Sequence, residues 1–322
     1  MSSDGAIIVT GYALTGKIYK STNSGVNWAE IQPAGATTKS WSFAAMSSDG
    51  ATIAATVDAG RFYVTTNSGA SWGEVQPAGN ASKNWRSPIG MSTNGAVILT
   101  GVYGGRLYLS TNSGAGWSEV QPAGNANAYW NAAAVSADGS VMLVGPSAGR
   151  LWLSTNTGVT WSEVQPAGAV NKVWNRTTVS TDGSILAAAD GQVGNSPGRI
   201  YVSTNTGATW SEVQPSGATN AEWDILSLSG DGLTLLAGAP TGVMRTYISP
   251  NSGVTWSQIQ PSATLGNVNW GTGAISRNGL LAVAALGSSL SPGVGRFYVG
   301  VGAVVVPTAK HSSIVSGMGI SL

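Results

Sequence analysis

One octet recurs six times along this chain, and its spacing restricts the fold more than any other feature. STNSGVNW at residues 21–28 returns as TTNSGASW (65–72), STNSGAGW (110–117), STNTGVTW (154–161), STNTGATW (203–210) and SPNSGVTW (249–256). The tryptophans that end it fall 44, 45, 44, 49 and 46 residues apart. A self-similar period of that length points to a propeller or solenoid, in which each unit buries its apolar face against its neighbours. Function is then to be sought in what differs between copies.

One unit reads as follows. Residues 130–136 (WNAAAVS) are a short apolar run, and ADG makes a turn. SVMLVG is a strand without polar alternation, PSAG a loop, and RLWLS a third strand. TNTG turns the chain into VTWSEV, which QPAG breaks. Four short β-branched and aromatic strands at hairpin spacing are predicted, with no helical period. The first turn occurs seven times: SSDG (2–5), SSDG (47–50), STNG (92–95), SADG (136–139), STDG (180–183), SGDG (229–232) and SRNG (276–279). The third-strand signature also occurs seven times, from GKIY (16–19) to GRFY (295–298).

The expectation is an all-β chain: a seven-bladed β-propeller of four-stranded antiparallel blades over residues 1–308, with 309–322 as a loose tail. A six-bladed ring with a spare hairpin is the alternative. The first unit lacks its opening strand and the last lacks the octet. VGVGAVVVPT (299–308) is expected to supply a missing inner or outer strand and so close the ring.

Charged residues are only 9% and net charge is +1, so nothing in the composition favours nucleic acid or an acidic membrane. No apolar run is long enough to span a bilayer as a helix. The absence of cysteine excludes disulfides, thiolate metal sites and cysteine nucleophiles. The single histidine, His311, lies in the tail, so no histidine triad or metal cluster is expected inside the ring. No cofactor is expected. The N-terminus reads as part of a repeat rather than a signal peptide. The compartment stays open between cytoplasm, virion and release by lysis.

The octet resembles the Asp-box, or BNR, repeat, Ser-x-Asp-x-Gly-x-Thr-Trp, of sialidase-like propellers, sortilin-type receptors, a photosystem II assembly factor and some propeller lectins. Asn23, Asn67, Asn112, Asn156, Asn205 and Asn251 stand where that pattern has Asp, before Trp28, Trp72, Trp117, Trp161, Trp210 and Trp256. The resemblance implies that these Asn and Trp are structural, the Asn accepting turn bonds and tolerating left-handed backbone. It would place a sialidase's arginines on a substrate carboxylate, but no Arg-Ile-Pro segment occurs. Lys17, Arg61, Arg106, Arg150, Arg199 and Arg296 share one repeat position, as do Glu30, Glu74, Glu119, Glu163 and Glu212. Five copies of a carboxylate describe a strand surface, whereas glycoside hydrolysis needs one specific pair. The chain reads as a non-enzyme.

In an up-and-down blade the first–second and third–fourth turns share one face, and these are short and uniform. The second–third loops and the blade connections share the other, and these vary. That loop face carries a second tryptophan series, Trp41, Trp85, Trp130, Trp174, Trp223 and Trp270, each opening an inner strand. The series reads either as filler between blades or as a ring of stacking platforms for sugars. Lys39, Lys83, Lys172, Arg86, Asn131, Asn175, Asp224 and Tyr129 flank it as candidate polar contacts. The leading reading is a non-catalytic recognition module binding glycan, or another protein, at inter-blade crevices. Alternatives are a structural virion component assembled into a larger particle, a docking assembly factor, and a glycosidase.

Overall fold

The two repeated turns show why their residues recur. Ser136 Oγ donates to Asp138 Oδ1 at 2.6 Å and accepts the Val141 amide at 2.9 Å, while Asp138 Oδ1 also accepts the Ser140 amide at 2.9 Å. Gly139 closes the turn at φ 81°, a left-handed backbone costly for a residue with a Cβ. The serine is fully buried, so its two bonds satisfy a hydroxyl that would otherwise be orphaned. The serine-to-third-position bond recurs at Ser2, Ser47, Ser180 and Ser229, and Asn94 and Asn278 take the acidic place in the other two turns.

In the octet, Ser154 Oγ accepts the Gly158 amide at 2.9 Å and Asn156 Oδ1 accepts the Thr160 amide at 2.9 Å. Trp161 Nε1 donates to the Gly158 carbonyl at 3.1 Å. The left-handed backbone falls on Thr157 (φ 55°) and Gly158 (φ 76°), one and two residues after the asparagine credited with tolerating it. Asn156 therefore acts through its side chain. The Thr157 amide donates to Ser140 O at 3.0 Å, welding the octet to the Asp-Gly turn of its own unit, and the same bond recurs at Ser24, Ser68, Ser113, Thr206 and Ser252. Both uniform turns thus share one face.

The computed structural model describes all residues except 12–15, 86, 192–197, 218–219, 240–244, 260–269, 280, 287–296, 302–303, 308–318 and 321–322. For the strand residues at 270–272 and beyond 280 the backbone alone is described. The described residues contain no helix and form seven sheets, one per Asp-Gly-type turn. The first has three strands, Ile8–Gly11, Ile18–Ser21 and Ala29–Ile31, and lacks an inner strand. The fifth is representative of the full blade: Trp174–Val179 innermost, then Leu186–Asp190, Ile200–Ser203 and Ser211–Val213, all antiparallel. In the seventh, Phe297–Val301 and Val304–Pro307 are the third and outer strands, so the VGVGAVVVPT stretch completes that blade in place of an octet. Within the expected loose tail, Gly319–Ile320 pairs in parallel with Phe43 and Ala44, while 308–318, with His311, lie outside the described residues.

Second strands are covered on both faces by neighbouring blades. Met142–Pro146 and Leu186–Asp190 are buried along their whole length, which is why they read as continuous apolar runs. Lys17, Arg61, Arg106, Arg150 and Arg199, just before the third strands, pair with Glu30, Glu74, Glu119, Glu163 and Glu212 of the outer strands at 2.7–3.8 Å. These part-exposed pairs contribute little stability each, but they occupy the five recurrent carboxylates.

Neighbouring inner strands pack around a common axis. On the uniform-turn face a belt of backbone bonds ties the blades together. The amide of Ser3 donates to Ser48 O, Ser48 to Thr93, Thr93 to Ala137, Ala137 to Thr181, Thr181 to Gly230, and Gly230 to Arg277, at 2.7–3.0 Å. Each residue is the second of its turn. Each bond runs from the amide of one turn to the carbonyl of the equivalent residue in the next.

Candidate functional site

On the opposite face each blade connection bonds to the second–third loop of the blade it leaves. Gly16, Gly60, Gly149 and Gly198 form bridges with Lys39, Lys83, Lys172 and Ala221, and Gly105 pairs with Ala128. Two residues later comes the second-series tryptophan. Trp41, Trp85, Trp130, Trp174 and Trp223 are between 1% and 3% exposed. Trp130 and Trp174 donate Nε1–H to Gly105 O and Gly149 O of the preceding blade, each at 3.2 Å. Trp41, Trp85, Trp174 and Trp223 meet Tyr63, Tyr108, Tyr201 and Tyr247 edge-on, with centroids 5.7–6.1 Å apart. Burial, followed by the charge of Asp190, pushes the Tyr201 hydroxyl up to about 12. These five rings fill the inter-blade crevices and present no free face to a sugar, contrary to the platform reading. The Trp270 side chain and Arg86 lie outside the described residues.

The residue after the tryptophan is aimed by a device that composition does not announce. The pairing of inner and second strands shifts between Trp41 and Phe43, Trp130 and Ala132, Trp174 and Arg176, and Trp270 and Thr272. Such a bulge re-aims a side chain out of the alternating pattern. Asn131 Nδ2 donates to Trp174 O and Asn175 Oδ1, both at 3.2 Å. Asn175 Nδ2 donates to Trp223 O at 3.0 Å and Asp224 Oδ1 at 2.7 Å. Arg176 Nε donates to Asp224 O at 2.8 Å, and its Nη2 stands 3.9 Å from Asp224 Oδ1. Asn131, Asn175 and Asp224, expected to hold ligand hydroxyls, are thus spent joining blades four, five and six. Lys172 is likewise spent: its Nζ pairs at 2.7 Å with the buried Asp190. Lys39 and Lys83 are half-buried, with their backbones in the bridges.

Tyr129 remains at the surface. It is 54% exposed, and its ring lies 4.8 Å, centroid to centroid, from that of Tyr103. Gly104 makes room for this pair: a Cβ there would sit 3.2 Å from Tyr129 Cε1, at a φ of 74°. Nearby, Arg106 bonds the exposed Asn125, and Asn84, whose carbonyl accepts the Tyr103 amide, has a buried Oδ1 without a partner. Tyr103 was not singled out in the sequence because it sits in a second–third loop, outside the tryptophan register.

An axial cavity of about 120 Å³ runs between the inner strands. Its walls mix apolar side chains, among them Ile89, Met91, Val135 and Leu226, with polar ones: Asn175 and Arg176 lie toward the loop face and Thr181, Gly230 and Arg277 toward the belt. Among the described residues no group of three or more His, Cys, Asp or Glu is placed to hold a metal ion. No described helix is long and apolar enough to cross a membrane.

Compared by sequence, the chain matches no protein-family model and no curated protein. Its backbone is similar to that of a GH74 xyloglucanase from Xanthomonas campestris, at TM-score 0.70 and 14% identity, over 92% of this chain. The chain spans only half the length of that enzyme, 50%. It is also similar to the Cps50 (Swd1) β-propeller domain from Myceliophteria thermophila (TM-score 0.65, 13% identity, 89% of this chain and 92% of that one). A third similar structure is YCF48 bound to D1 peptide (TM-score 0.63, 12% identity, 96% and 92%). The fold class is therefore that of a β-propeller, and at these identities the likeness extends to the fold alone.

Proposed function

We propose that this protein is a non-catalytic recognition module that holds a segment of a partner protein on its loop face, with Tyr129 at the centre of contact. The observation that carries this reading is Tyr129 itself. It is the one aromatic ring among the exposed large apolar side chains of the described residues, and it is backed by Tyr103. Tyrosine on a rigid frame is characteristic of interaction hot spots, and loops on a fixed scaffold are where recognition concentrates. YCF48, of similar fold, is described bound to D1 peptide. The non-catalytic part is supported by how the carboxylates are used. The recurrent glutamates pair with basic side chains, the turn aspartates bond their own turns, and Asp190 and Asp224 hold Lys172 and Asn175. We read the octets as Asp-box turns with Asn in the acidic place, on the strength of the Asn156 Oδ1 geometry.

A glycan is the second reading, favoured by the exposed tyrosine face on a variable loop face. It rests on Tyr129, since the indoles are buried. Peptide and glycan arrays probed with the wild-type chain and Tyr129→Ala separate the two. Peptide binding lost in the variant, with unchanged circular dichroism, supports the first reading; glycan binding lost in it supports the second. Binding indifferent to Tyr129 removes the site. Turnover of xyloglucan oligosaccharides by the wild type would overturn the non-catalytic assignment.

A further inference from the structure

The seven residues of the backbone belt are Ser3, Ser48, Thr93, Ala137, Thr181, Gly230 and Arg277. Six are small, and one carries a long cationic side chain. That exception adjoins another, since the belt's one glycine precedes Arg277 in the ring. The two fit together. A Cβ on Gly230 would fall 2.6 Å from Thr181 Oγ1 and 3.3 Å from Arg277 Cβ. With no side chain there, Arg277 reaches across blade six, and its Nη1 donates to Thr181 Oγ1 on blade five at 3.2 Å. The guanidinium lies half-buried at the belt end of the axial cavity, which Thr181, Gly230 and Arg277 all line.

The cation is not neutralised from within the protein. Among the described residues no carboxylate stands within ion-pair distance of Arg277. Asp182, in a neighbouring turn, gives its oxygens to Ser180 and Ser184, and Asp231 gives Oδ1 to Ser229 and the Leu233 amide. Burial holds the Arg277 guanidinium below its ordinary value, with no charged neighbour opposing the shift. A partly desolvated cation with unused donors attracts an anion, and a guanidinium matches the planar fork of an oxyanion. The cavity, at about 120 Å³, has room for one small anion.

We propose that the belt end of the axial cavity is an oxyanion-binding site, in which Arg277 and Thr181 hold a carboxylate or phosphate group. This site is separate from the Tyr129 surface. Its ligand is either a small free anion or the carboxylate terminus of an extended peptide entering past Arg176. The test is calorimetric titration of the full chain with inorganic phosphate, with succinate, and with a short peptide as free acid or C-terminal amide, against chloride at equal ionic strength. Saturable binding of phosphate or succinate is expected, weakened at least tenfold in Arg277→Gln and unchanged in Tyr129→Ala. Preference for the free-acid peptide over both small anions assigns the site to a chain terminus. Gly230→Ala, which crowds Thr181, is expected to weaken binding as well. Absence of saturable binding to the wild type by any of these probes overturns the proposal whether or not the variants fold, as does equal affinity in Arg277→Gln.

Discussion

Replacing Trp174 by alanine tests whether the second tryptophan series is scaffold. The ring is 1% exposed, packs edge-on to Tyr201 at 5.9 Å, and donates Nε1–H to Gly149 O at 3.2 Å across a blade boundary. A buried tryptophan removes on the order of 200 Å² from water, which at about 25 cal/mol per Å² is roughly 5 kcal/mol, part of which alanine retains. The lost bond to Gly149 adds about 1 kcal/mol. The expected cost is thus about 4–5 kcal/mol, at the upper end of aromatic-to-alanine changes. Trp161 serves as the internal control. Its ring is only partly buried, and its Nε1 bonds Gly158 within its own octet. Trp161→Ala should cost about 1–2 kcal/mol, as a partial burial plus one local bond. Urea unfolding followed by far-UV circular dichroism gives both values on one scale. A Trp174→Ala variant within about 1 kcal/mol of wild type, or less damaged than Trp161→Ala, would refute the reasoning, because burial of this magnitude leaves its mark on stability.

Two further outcomes follow from the same geometry. Asn175→Ala removes the bonds to Trp223 O and Asp224 Oδ1 together with the acceptor of Asn131; since one bond is to a charged group, unfolding in urea should show a loss of about 1.5–3 kcal/mol. The turn aspartates Asp49, Asp138 and Asp182 are held below the usual carboxylate range, first by the Ser47, Ser136 and Ser180 hydroxyls and then by turn amides. A depressed folded-state pKa contributes stability above the unfolded value that is lost as pH falls through the folded one, so melting temperature should drop as pH is lowered below about 4. Asp138→Asn should flatten part of that drop, and a melting temperature independent of acid pH would contradict it.

The repeat made the class of fold legible because every turn had to solve the same steric problem. Gly139 and its counterparts occupy positions where a Cβ is costly, and Ser136 and Asn156 must satisfy turn amides, so the residue types recur with the geometry. The uniform and irregular faces followed from strand order alone. The site was less legible. Trp130 and Tyr129 are adjacent aromatic residues, yet one is buried and the other is exposed. Inner-strand bulges turned Asn131 and Asn175 toward neighbouring blades, and a bulge depends on strand pairing rather than on the identity of one residue.

Local chemistry written into the chain determined the period, the two turns, the strands between them and the sorting of constant from variable loops, because each rests on contacts within about 45 residues. What lies across blade boundaries was decided only by ring closure. It brought Asn175 to Asp224, and it carried Arg277 over Gly230 to Thr181, 96 positions away in sequence. It also left Tyr129 outside while the indole next to it was enclosed. The physical reason is that a side chain's solvent and partners are fixed by the neighbouring blade, and the repeat unit carries no record of which blade that will be.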